Sequence, residues 1–171
     1  NSGYTTFVPD NLHIPAGTPK PQKKILQPDD LAILLSSDKT KYMGKETKDP
    51  YINAYRLAVL TGIRPGELIG MQWEDVKENR IFLRRAINIY GEKTTGKNDN
   101  AVRAIELSDM AKSVIDAQRE LTKNGGSVFG ISDEHLLYKW WRKYCAYNGI
   151  NYVSLYELRH TFVSIASALP E

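Results

Sequence analysis

The chain has 171 residues, of which 42% are apolar, and it carries 23 Lys and Arg residues against 20 Asp and Glu. This length is typical of one globular domain with its own core, and the composition excludes a wholly disordered chain. No run of about 18 apolar residues occurs, so we expect no membrane span, and the start lacks the pattern of a secretory signal. The single cysteine, Cys145, excludes an internal disulfide and a cysteine-based zinc site, which favours the reducing cytoplasm.

The basic residues are concentrated in two stretches. Residues 77–107 carry seven basic and four acidic side chains, and residues 138–160 carry four basic and one acidic. Because the rest of the chain is slightly acidic, this distribution allows a surface that faces a polyanion. Ordinary solvated charge produces the same pattern, so charge alone leaves both interpretations open.

The first part of the chain predicts a linker followed by short helices. Residues 1–27 hold four of the eight prolines and indicate an extended linker, so we place the folded domain at residues 28–171. A helix is expected from residue 28 to about 35, and the polar residues 37–49 indicate a loop. A second helix should start near Pro50 and end at Gly62.

A helical junction and several strands follow. Pro65 is expected to open a short helix that leads to Trp73. Alternating apolar residues predict strands at about 80–84, 86–90 and 102–107. The Gly- and Asn-rich residues 91–100 between the last two indicate a mobile hairpin loop.

The remainder predicts three helices. Their predicted bounds are Ser108 to about Lys123, Ser132 or Asp133 to Gly149, and Ser154 to about Leu169, the last with a Ser154–Glu157 capping box. The expected fold is therefore α+β and mainly α-helical, with a small three-stranded antiparallel sheet and a β-hairpin.

Arg64 lies between two predicted helices, in the segment Thr-Gly-Ile-Arg64-Pro-Gly-Glu67. The N–H groups and dipole of a helix N-terminus attract an anion, and a guanidinium there matches phosphate oxygens. A plain ion pair between Arg64 and Glu67, one turn later, explains the same residues. Both interpretations stay open.

The last predicted helix carries a half-buried cation. Leucine, phenylalanine, isoleucine and alanine residues form its apolar stripe at helical spacing: Leu155, Leu158, Phe162, Ile165, Ala166 and Leu169. Arg159 falls at the edge of this stripe, one turn after Tyr156, and a half-buried cation needs a partner. His160 points further round, either as a surface residue or as a supporting side chain.

Other chemistries find little support in the sequence. The three histidines are far apart and lack metal-ligand spacing, and no phosphate-binding Gly-Lys-Ser/Thr loop occurs. Trp140 and Trp141 fit a core helix better than a base-stacking surface. Lys93 and Lys97 lie in the predicted hairpin loop, where a lysine either is solvated or reaches into a site as a point charge or proton donor.

Three segments, taken in order, resemble the catalytic domain of the tyrosine recombinases, the phage and transposon integrase family. Thr-Gly-Ile-Arg64-Pro-Gly-Glu67-Leu, followed by Met-Gln-Trp73-Glu-Asp-Val, resembles the first arginine box. Lys97-Asn-Asp-Asn-Ala-Val-Arg103-Ala-Ile-Glu-Leu resembles the β-hairpin that carries a lysine. Tyr156-Glu-Leu-Arg159-His160-Thr-Phe resembles the His-x-x-Arg box.

The resemblance implies a mechanism and a set of roles. A tyrosine attacks a DNA phosphodiester, forms a 3′-phosphotyrosyl link and releases a 5′-hydroxyl that later rejoins, with no metal, cofactor or nucleotide. Arg64 and Arg159 would stabilise the transition state, Glu67 would orient Arg64, and Lys97 would protonate the leaving oxygen. His160 and Tyr156 are supporting candidates. The expected contacts to duplex DNA come from Lys93, Arg103, Arg84, Arg85, Arg142 and Lys143.

This sequence departs from the family pattern at three points. Tyr156 occupies the place of the usual histidine, and either Lys97 or Lys93 is the hairpin lysine. None of the ten tyrosines falls where the nucleophile is expected, so we expect the nucleophile beyond Glu171 and no cleavage by this chain alone. The resemblance also implies a homotetramer on paired DNA sites, encoded by bacteria, a phage or a transposon.

Two functions of other classes remain as alternatives. One is a non-catalytic, regulatory DNA-binding module that uses a basic recognition helix at 136–148. The other is a protein-interaction domain that uses an exposed face from Trp140 to Tyr144. Convergence of Arg64 and Arg159 on one pocket would favour the enzyme over the DNA-binding module.

Overall fold

Six helices and seven short strands make up the part of the chain that the structure describes. The structure is a computed structural model, and it describes residues 24–87, 91–94 and 103–168. The helices are α1 (Pro28–Ser36), α2 (Ile52–Thr61), α3 (Pro65–Gly70), α4 (Asp109–Thr122), α5 (Glu134–Asn148) and α6 (Leu155–Ala168), with a 3-10 turn at Trp73–Asp75. The strands are β1 (Lys39–Tyr42), β2 (Lys45–Lys48), β3 (Val76–Lys77), β4 (Arg80–Leu83), β5 (Ala86–Ile87), β6 (Lys93–Thr94) and β7 (Arg103–Glu106).

The helices begin and end close to the predicted residues. Gly62 ends α2 and Gly149 ends α5, both with a left-handed backbone (φ 66° and 70°) that favours glycine. Pro65 is the first residue of α3, and the Ser108 hydroxyl accepts a hydrogen bond near the start of α4. None of these described helices has the length and apolar character needed to cross a membrane.

The small antiparallel sheet has the strand order β3-β4-β7. In its central pairing Arg80 lies opposite Glu106 and Leu83 lies opposite Arg103. The predicted class, mainly helical α+β with a three-stranded sheet and a β-hairpin, is therefore confirmed.

The membership of the sheet differs from the sequence prediction. The predicted strand 86–90 contributes only β5 within the described residues, and β5 pairs with β6 in a separate ladder that sets Ile87 opposite Lys93. Strand β6 lies inside 91–100, which was predicted to be a loop throughout. The third strand of the sheet is β3. It has only two residues, too few to show a periodic pattern in the sequence.

Residues 37–49 form a β-hairpin, so the prediction of a loop is wrong. Strands β1 and β2 pair antiparallel, with Tyr42 opposite Lys45. The two turn residues, Met43 and Gly44, both have positive φ (48° and 80°), as two-residue hairpin turns require. Methionine is uncommon at such a position, so the sequence does not predict this turn, whereas Asn-Gly at the same place would predict it.

The hairpin rests on α5 through aromatic contacts. The ring of Tyr42 stacks on Trp140 with centroids 4.9 Å apart, and the Lys143 ammonium lies 4.5 Å from the centre of the Tyr42 ring. On the same face of β1, Thr40 is fully buried. The hairpin is therefore part of the packed domain.

Helix α2 lies at the centre of the core and contacts α1, α3, α4 and α6. Eight of its ten residues are buried. Tyr55 of this helix packs against Trp141 of α5 with ring centroids 4.9 Å apart, and Trp141 stacks on Tyr144. Leu26 is also buried in this core, so the packed region includes residues before α1.

Only the first half of α6 is buried. The capping box at its start is present, because the Ser154 N–H donates to Glu157 over 2.6 Å and the Glu157 N–H donates back to the Ser154 hydroxyl. Leu155 and Leu158 are fully buried, whereas Ile165 is 40% exposed. The predicted apolar stripe therefore packs at its N-terminal end, and Leu169 lies outside the described residues.

Candidate active site

Arg64 occupies the junction between α2 and α3. Its backbone is extended, it is the residue that precedes α3, and its N–H donates to Glu67 Oε2 over 2.9 Å. Its guanidinium Nη1 donates to Glu67 Oε1 over 3.1 Å, and 45% of the side chain is exposed. The predicted pair with Glu67 is therefore present, and it leaves much of the guanidinium facing outward.

Glu67 is the buried acceptor of this junction. Arg103 donates to both of its oxygens, from Nη1 to Oε1 over 2.8 Å and from Nη2 to Oε2 over 2.9 Å. Burial acts to raise the pKa of Glu67, but the bonds and charges of Arg103 and Arg64 outweigh it and hold the pKa below its usual range. The carboxylate therefore stays charged and accepts four N–H bonds.

Arg159 reaches the same junction from α6. Its Nη1 donates to the backbone carbonyl of Gly62 over 2.6 Å, at the C-terminal end of α2, where the helix dipole favours a cation. The side chain is half-buried, as its place at the edge of the apolar stripe predicts. Its partner is a carbonyl oxygen, so its charge is not neutralised by that contact.

Tyr156 of α6 lies close to Arg64. The polar interaction of its hydroxyl with the guanidinium is the main cause that raises the pKa of Arg64 above its ordinary value. Tyr156 lies one turn before Arg159 on α6, and its ring packs edge-on against His160 with centroids 5.6 Å apart. Arg64, Tyr156, Arg159 and His160 therefore lie together at one end of α2.

Positive charge exceeds negative charge at this site. The guanidiniums of Arg64 and Arg103 both bind one carboxylate, Glu67, and the guanidinium of Arg159 binds the Gly62 carbonyl, two residues before Arg64. Among the residues that the structure describes, Arg159 has no carboxylate as an ion-pair partner. A half-exposed place with surplus guanidinium charge attracts an anion with oxygen acceptors, such as a phosphate.

The β5–β6 ladder is attached to the helix that follows Arg64. A Cβ on Gly66 would lie 2.7 Å from the Ile87 carbonyl oxygen, and one on Gly70 would lie 3.1 Å from the Arg85 carbonyl oxygen. These two glycines lie one turn apart on α3 and let the chain at β5 approach closely. Lys93 is exposed on β6, and Lys97 lies outside the described residues.

Three of the residues predicted to bind DNA are engaged in ion pairs. Arg103 is held by Glu67, so its guanidinium has a partner within the protein, and its contact with DNA stays a prediction. Arg85, 21% exposed, pairs with Glu74 over 2.7 Å and Asp75 over 3.3 Å, and Arg84 lies 3.6 Å from Asp75. Arg85 is thus committed to the protein, because a buried aspartate requires its charge.

The other predicted DNA contacts lie on α5. Arg142 is exposed and approaches the Tyr152 hydroxyl and ring, and Lys143 lies over the rings of Tyr42 and Trp140. These cations have aromatic partners, and no ion pair with a carboxylate is recorded for them in the described part of the chain. They stay candidates for contact with a polyanion.

The proposed interaction face from Trp140 to Tyr144 is largely internal. Of its three aromatic side chains, Trp141 and Tyr144 are fully buried in the core and Trp140 is partly accessible. No group of three or more His, Cys, Asp or Glu side chains suited to a metal ion occurs among the described residues. The arginine junction is therefore the stronger candidate site.

Two contributors to this junction were missed in the sequence. One is the Gly62 carbonyl, which no side-chain pattern announces. The other is the inward direction of Arg103, for which a signal existed. Arg103 lies two residues before Ile105 on a strand, so both side chains share a face.

Comparison with known proteins supports the same family as the motifs. No family profile matches the chain. The ICEBs1 integrase of Bacillus subtilis (strain 168) is 23% identical over 133 residues, which cover 65% of this chain and 36% of that protein. This chain therefore spans about a third of the length of this relative.

Several solved structures are similar in fold. A Tn1549 transposon integrase in complex with transposon right end DNA has a TM-score of 0.68 and 16% identity, over 88% of this chain and 56% of that one. XerA recombinase has a TM-score of 0.65 and 21% identity, over 90% and 53%. A lambda integrase tetramer bound to a Holliday junction has a TM-score of 0.61 and 16% identity, over 91% and 46%.

These relatives are tyrosine recombinases, and the chain spans about half the length of the solved ones. The helices and the small antiparallel sheet agree with the fold that the resemblance implies. The described part of this chain has the fold of a tyrosine recombinase catalytic domain.

Proposed function

We propose that this chain is the catalytic domain of a site-specific DNA recombinase that cleaves and rejoins strands through a 3′-phosphotyrosyl intermediate. The observation that supports the proposal is the surplus of guanidinium charge at the α2–α3 junction, where Arg159 comes from a distant part of the sequence to bind the Gly62 carbonyl, two residues before Arg64. A phosphodiester under attack concentrates negative charge on its non-bridging oxygens. Fixed guanidinium donors stabilise that charge.

The roles of the two arginines follow from their surroundings. In the proposed reaction a tyrosine oxygen bonds to phosphorus, and the bond from phosphorus to the 5′-oxygen breaks. Arg64 and Arg159 bind the non-bridging oxygens, and Glu67 holds Arg64 by its backbone and by one guanidinium nitrogen. Tyr156 positions Arg64 through its hydroxyl, and His160 supports the Tyr156 ring.

The hairpin lysine is proposed as the donor of a proton to the leaving 5′-oxygen. Lys97 remains the preferred residue and Lys93 the alternative. Both ends of the segment that carries Lys97 are attached to α3, since β5 packs on its glycines and Arg103 binds its Glu67. These attachments support a lysine that works close to Arg64.

The whole protein requires further components. We propose that the nucleophilic tyrosine follows residue 171 in its sequence. We also propose that the catalytic domain predicted at 28–171 includes the buried Leu26, so that the linker predicted at 1–27 ends before that residue. Duplex DNA is the proposed partner, contacted outside the site by Arg84, Arg142, Lys143 and Lys93. A homotetramer on paired sites in a bacterial cytoplasm is proposed by analogy with the relatives.

The test uses the whole recombinase with Arg159→Ala. We expect strand exchange and the covalent DNA–protein adduct to fall by about a hundredfold or more, because a transition-state donor is lost, while duplex binding changes little. Arg80→Ala is the matched control, because Arg80 is an exposed arginine of the sheet, paired with Glu106. Normal strand exchange by the Arg159→Ala protein would exclude the proposed role.

The non-catalytic alternatives lack a comparable observation. A DNA-binding module needs only the outer face of α5. It gives no reason for two guanidiniums on the carboxylate of Glu67 and a third, that of Arg159, on the neighbouring Gly62 carbonyl. The interaction-domain alternative needs an exposed Trp141 and Tyr144, and both are buried.

A further inference from the structure

Arg103 occupies the face of Glu67 that a guanidinium binds best. Its two terminal nitrogens lie 2.8 and 2.9 Å from the two carboxylate oxygens, a parallel two-bond arrangement. Arg64 uses one nitrogen of its guanidinium on Oε1, over the longer distance of 3.1 Å. Two guanidiniums thus bind one carboxylate, and they bind it unequally.

We propose that Arg103 is a positioning residue. By donating to both carboxylate oxygens of Glu67, it limits Arg64 to a single side-chain bond with that carboxylate and so keeps the Arg64 guanidinium available to phosphate. The inference rests on the proposed function in one respect, namely that Arg64 has a phosphate to bind. It assigns Arg103 an inward task, in place of the contact with DNA that its basic character predicts.

The physical reason is competition for a buried charge. Glu67 is 9% exposed, and an ionised carboxylate at that depth must be paired. Without Arg103 the remaining cation at hand is Arg64, whose guanidinium is already in contact with Oε1. Arg64 would then turn both terminal nitrogens onto Glu67, and the donors that now face outward would be lost to a ligand.

Arg103 is held in place by its strand. It is the first residue of β7, it lies opposite Leu83 of β4 in the ladder, and it shares the inward face with Ile105. Its side chain is 34% exposed, less than the 45% of Arg64. The sheet therefore delivers Arg103 to Glu67 without help from a ligand, and Arg64 is the more accessible of the two.

The experiment measures the binding of inorganic phosphate to this 171-residue chain. Titration is followed by the side-chain Nε–Hε resonances of the arginines in a nitrogen–proton NMR correlation, with the Arg64 signal assigned by Arg64→Lys. We expect phosphate to shift the Arg64 signal. In Arg103→Met we expect the dissociation constant for phosphate to rise about tenfold, because one strong donor pair to phosphate is withdrawn.

A second substitution separates competition from simple damage. Adding Glu67→Gln to Arg103→Met removes the charge that captures Arg64, so phosphate binding should recover most of the loss. A merely structural role for Arg103 predicts that the double variant binds worse than either single variant. Arg80→Met, which breaks an exposed arginine pair on the same sheet, is the control and should bind phosphate like the unchanged chain.

The inference fails if Arg103→Met binds phosphate normally, if the double variant shows no recovery, or if phosphate never shifts the Arg64 signal. If Arg103→Met does not fold, Arg103→Lys replaces it. Lysine keeps the positive charge but offers Glu67 one nitrogen in place of two, so its affinity for phosphate should lie between those of the unchanged chain and a variant without the charge. The two proposals can fail separately. If the phosphate titrations give the expected results but the Arg159→Ala recombinase exchanges strands normally, the proposed function is overturned and the positioning role of Arg103 stands.

Discussion

The ring of Phe162 lies directly against the backbone of Gly62. A Cβ at position 62 would be 2.6 Å from Cδ1 of that ring, closer than real side-chain contacts. Gly62 therefore serves twice. It ends α2 in a left-handed conformation, and it lets α6 approach until Arg159 reaches the Gly62 carbonyl.

Gly62→Ala should destabilise the chain by about 2–4 kcal/mol, because backbone strain and a steric clash both act at this position. Urea unfolding measures the change. Gly149→Ala is the matched control, since Gly149 has the same conformation at the end of α5 and nothing within 4 Å of its Cβ position. Its cost should be about 1 kcal/mol. Equal costs for the two variants would contradict the close packing of Phe162.

Asp49 should make stability depend on pH. Burial raises the pKa of Asp49 to about 7, although the hydrogen bond from the Tyr51 N–H favours its charged form. Between pH 4 and 7, Asp49 is therefore protonated in the folded state and ionised in the unfolded chain. The contribution of Asp49 is complete below about pH 4 and is lost as the pH rises towards 7.

Asp49→Asn should remove this dependence. The amide oxygen can still accept the Tyr51 N–H bond, now 2.9 Å, and no buried charge forms at high pH. We expect the variant to gain about 2 kcal/mol over the unchanged chain at pH 8 and much less at pH 4, measured by urea unfolding at both values. Asp116→Asn, on an exposed face of α4, should leave the pH profile unchanged. A profile unaltered by Asp49→Asn would contradict the prediction.

Arg85 should matter for folding more than an exposed arginine does. Asp75 is 2% exposed, and besides the Gln72 N–H at 3.0 Å its nearest partner is the Arg85 guanidinium at 3.3 Å, with Arg84 further away at 3.6 Å. Arg85→Ala should cost about 1–3 kcal/mol in thermal or urea unfolding. Arg80→Ala removes an exposed pair and should cost less than about 1 kcal/mol. The reverse order of the two costs would refute this account.

Cys145 should be inert until the chain opens. It is the single cysteine, it is buried, and burial raises the pKa of its thiol to about 12. Since the thiolate is the reactive form, a disulfide reagent should label the folded chain at least about a thousandfold more slowly than an exposed cysteine. Under unfolding conditions one thiol per chain should react at once. Rapid labelling without denaturant would show that α5 opens readily.

The helix ends and the site motifs were predictable because each depends on local chemistry. Gly62 ends α2 and Pro65 begins α3 independently of the tertiary contacts of these helices. The Ser154–Glu157 capping box likewise depends only on the local backbone at the start of α6. The same locality made Arg64 and Arg159 recognisable. Their meeting at one junction was an expectation of the resemblance that the spacing of residues alone does not supply.

The misjudged parts depend on tertiary contacts or on an uncommon turn residue. The hairpin at 37–49 was missed because Met43 takes a conformation usually reserved for Asn, Asp or Gly, and because its aromatic support, Trp140, is distant in sequence. Arg103 was judged by its charge, whereas the two-residue period of its strand turns it inward. Ile165 fits the apolar stripe of α6, but nothing among the described residues covers it.

The surplus of guanidinium charge has a consequence for handling this protein. Like charges held close together work against folding, and an oxyanion that binds only the folded state relieves them and stabilises by mass action. Phosphate or sulfate in a buffer is then a folding ligand, and melting temperatures of variants are comparable only at equal anion concentration. In the proposed function, the DNA phosphates supply the counter-charge that the folded chain lacks at this junction.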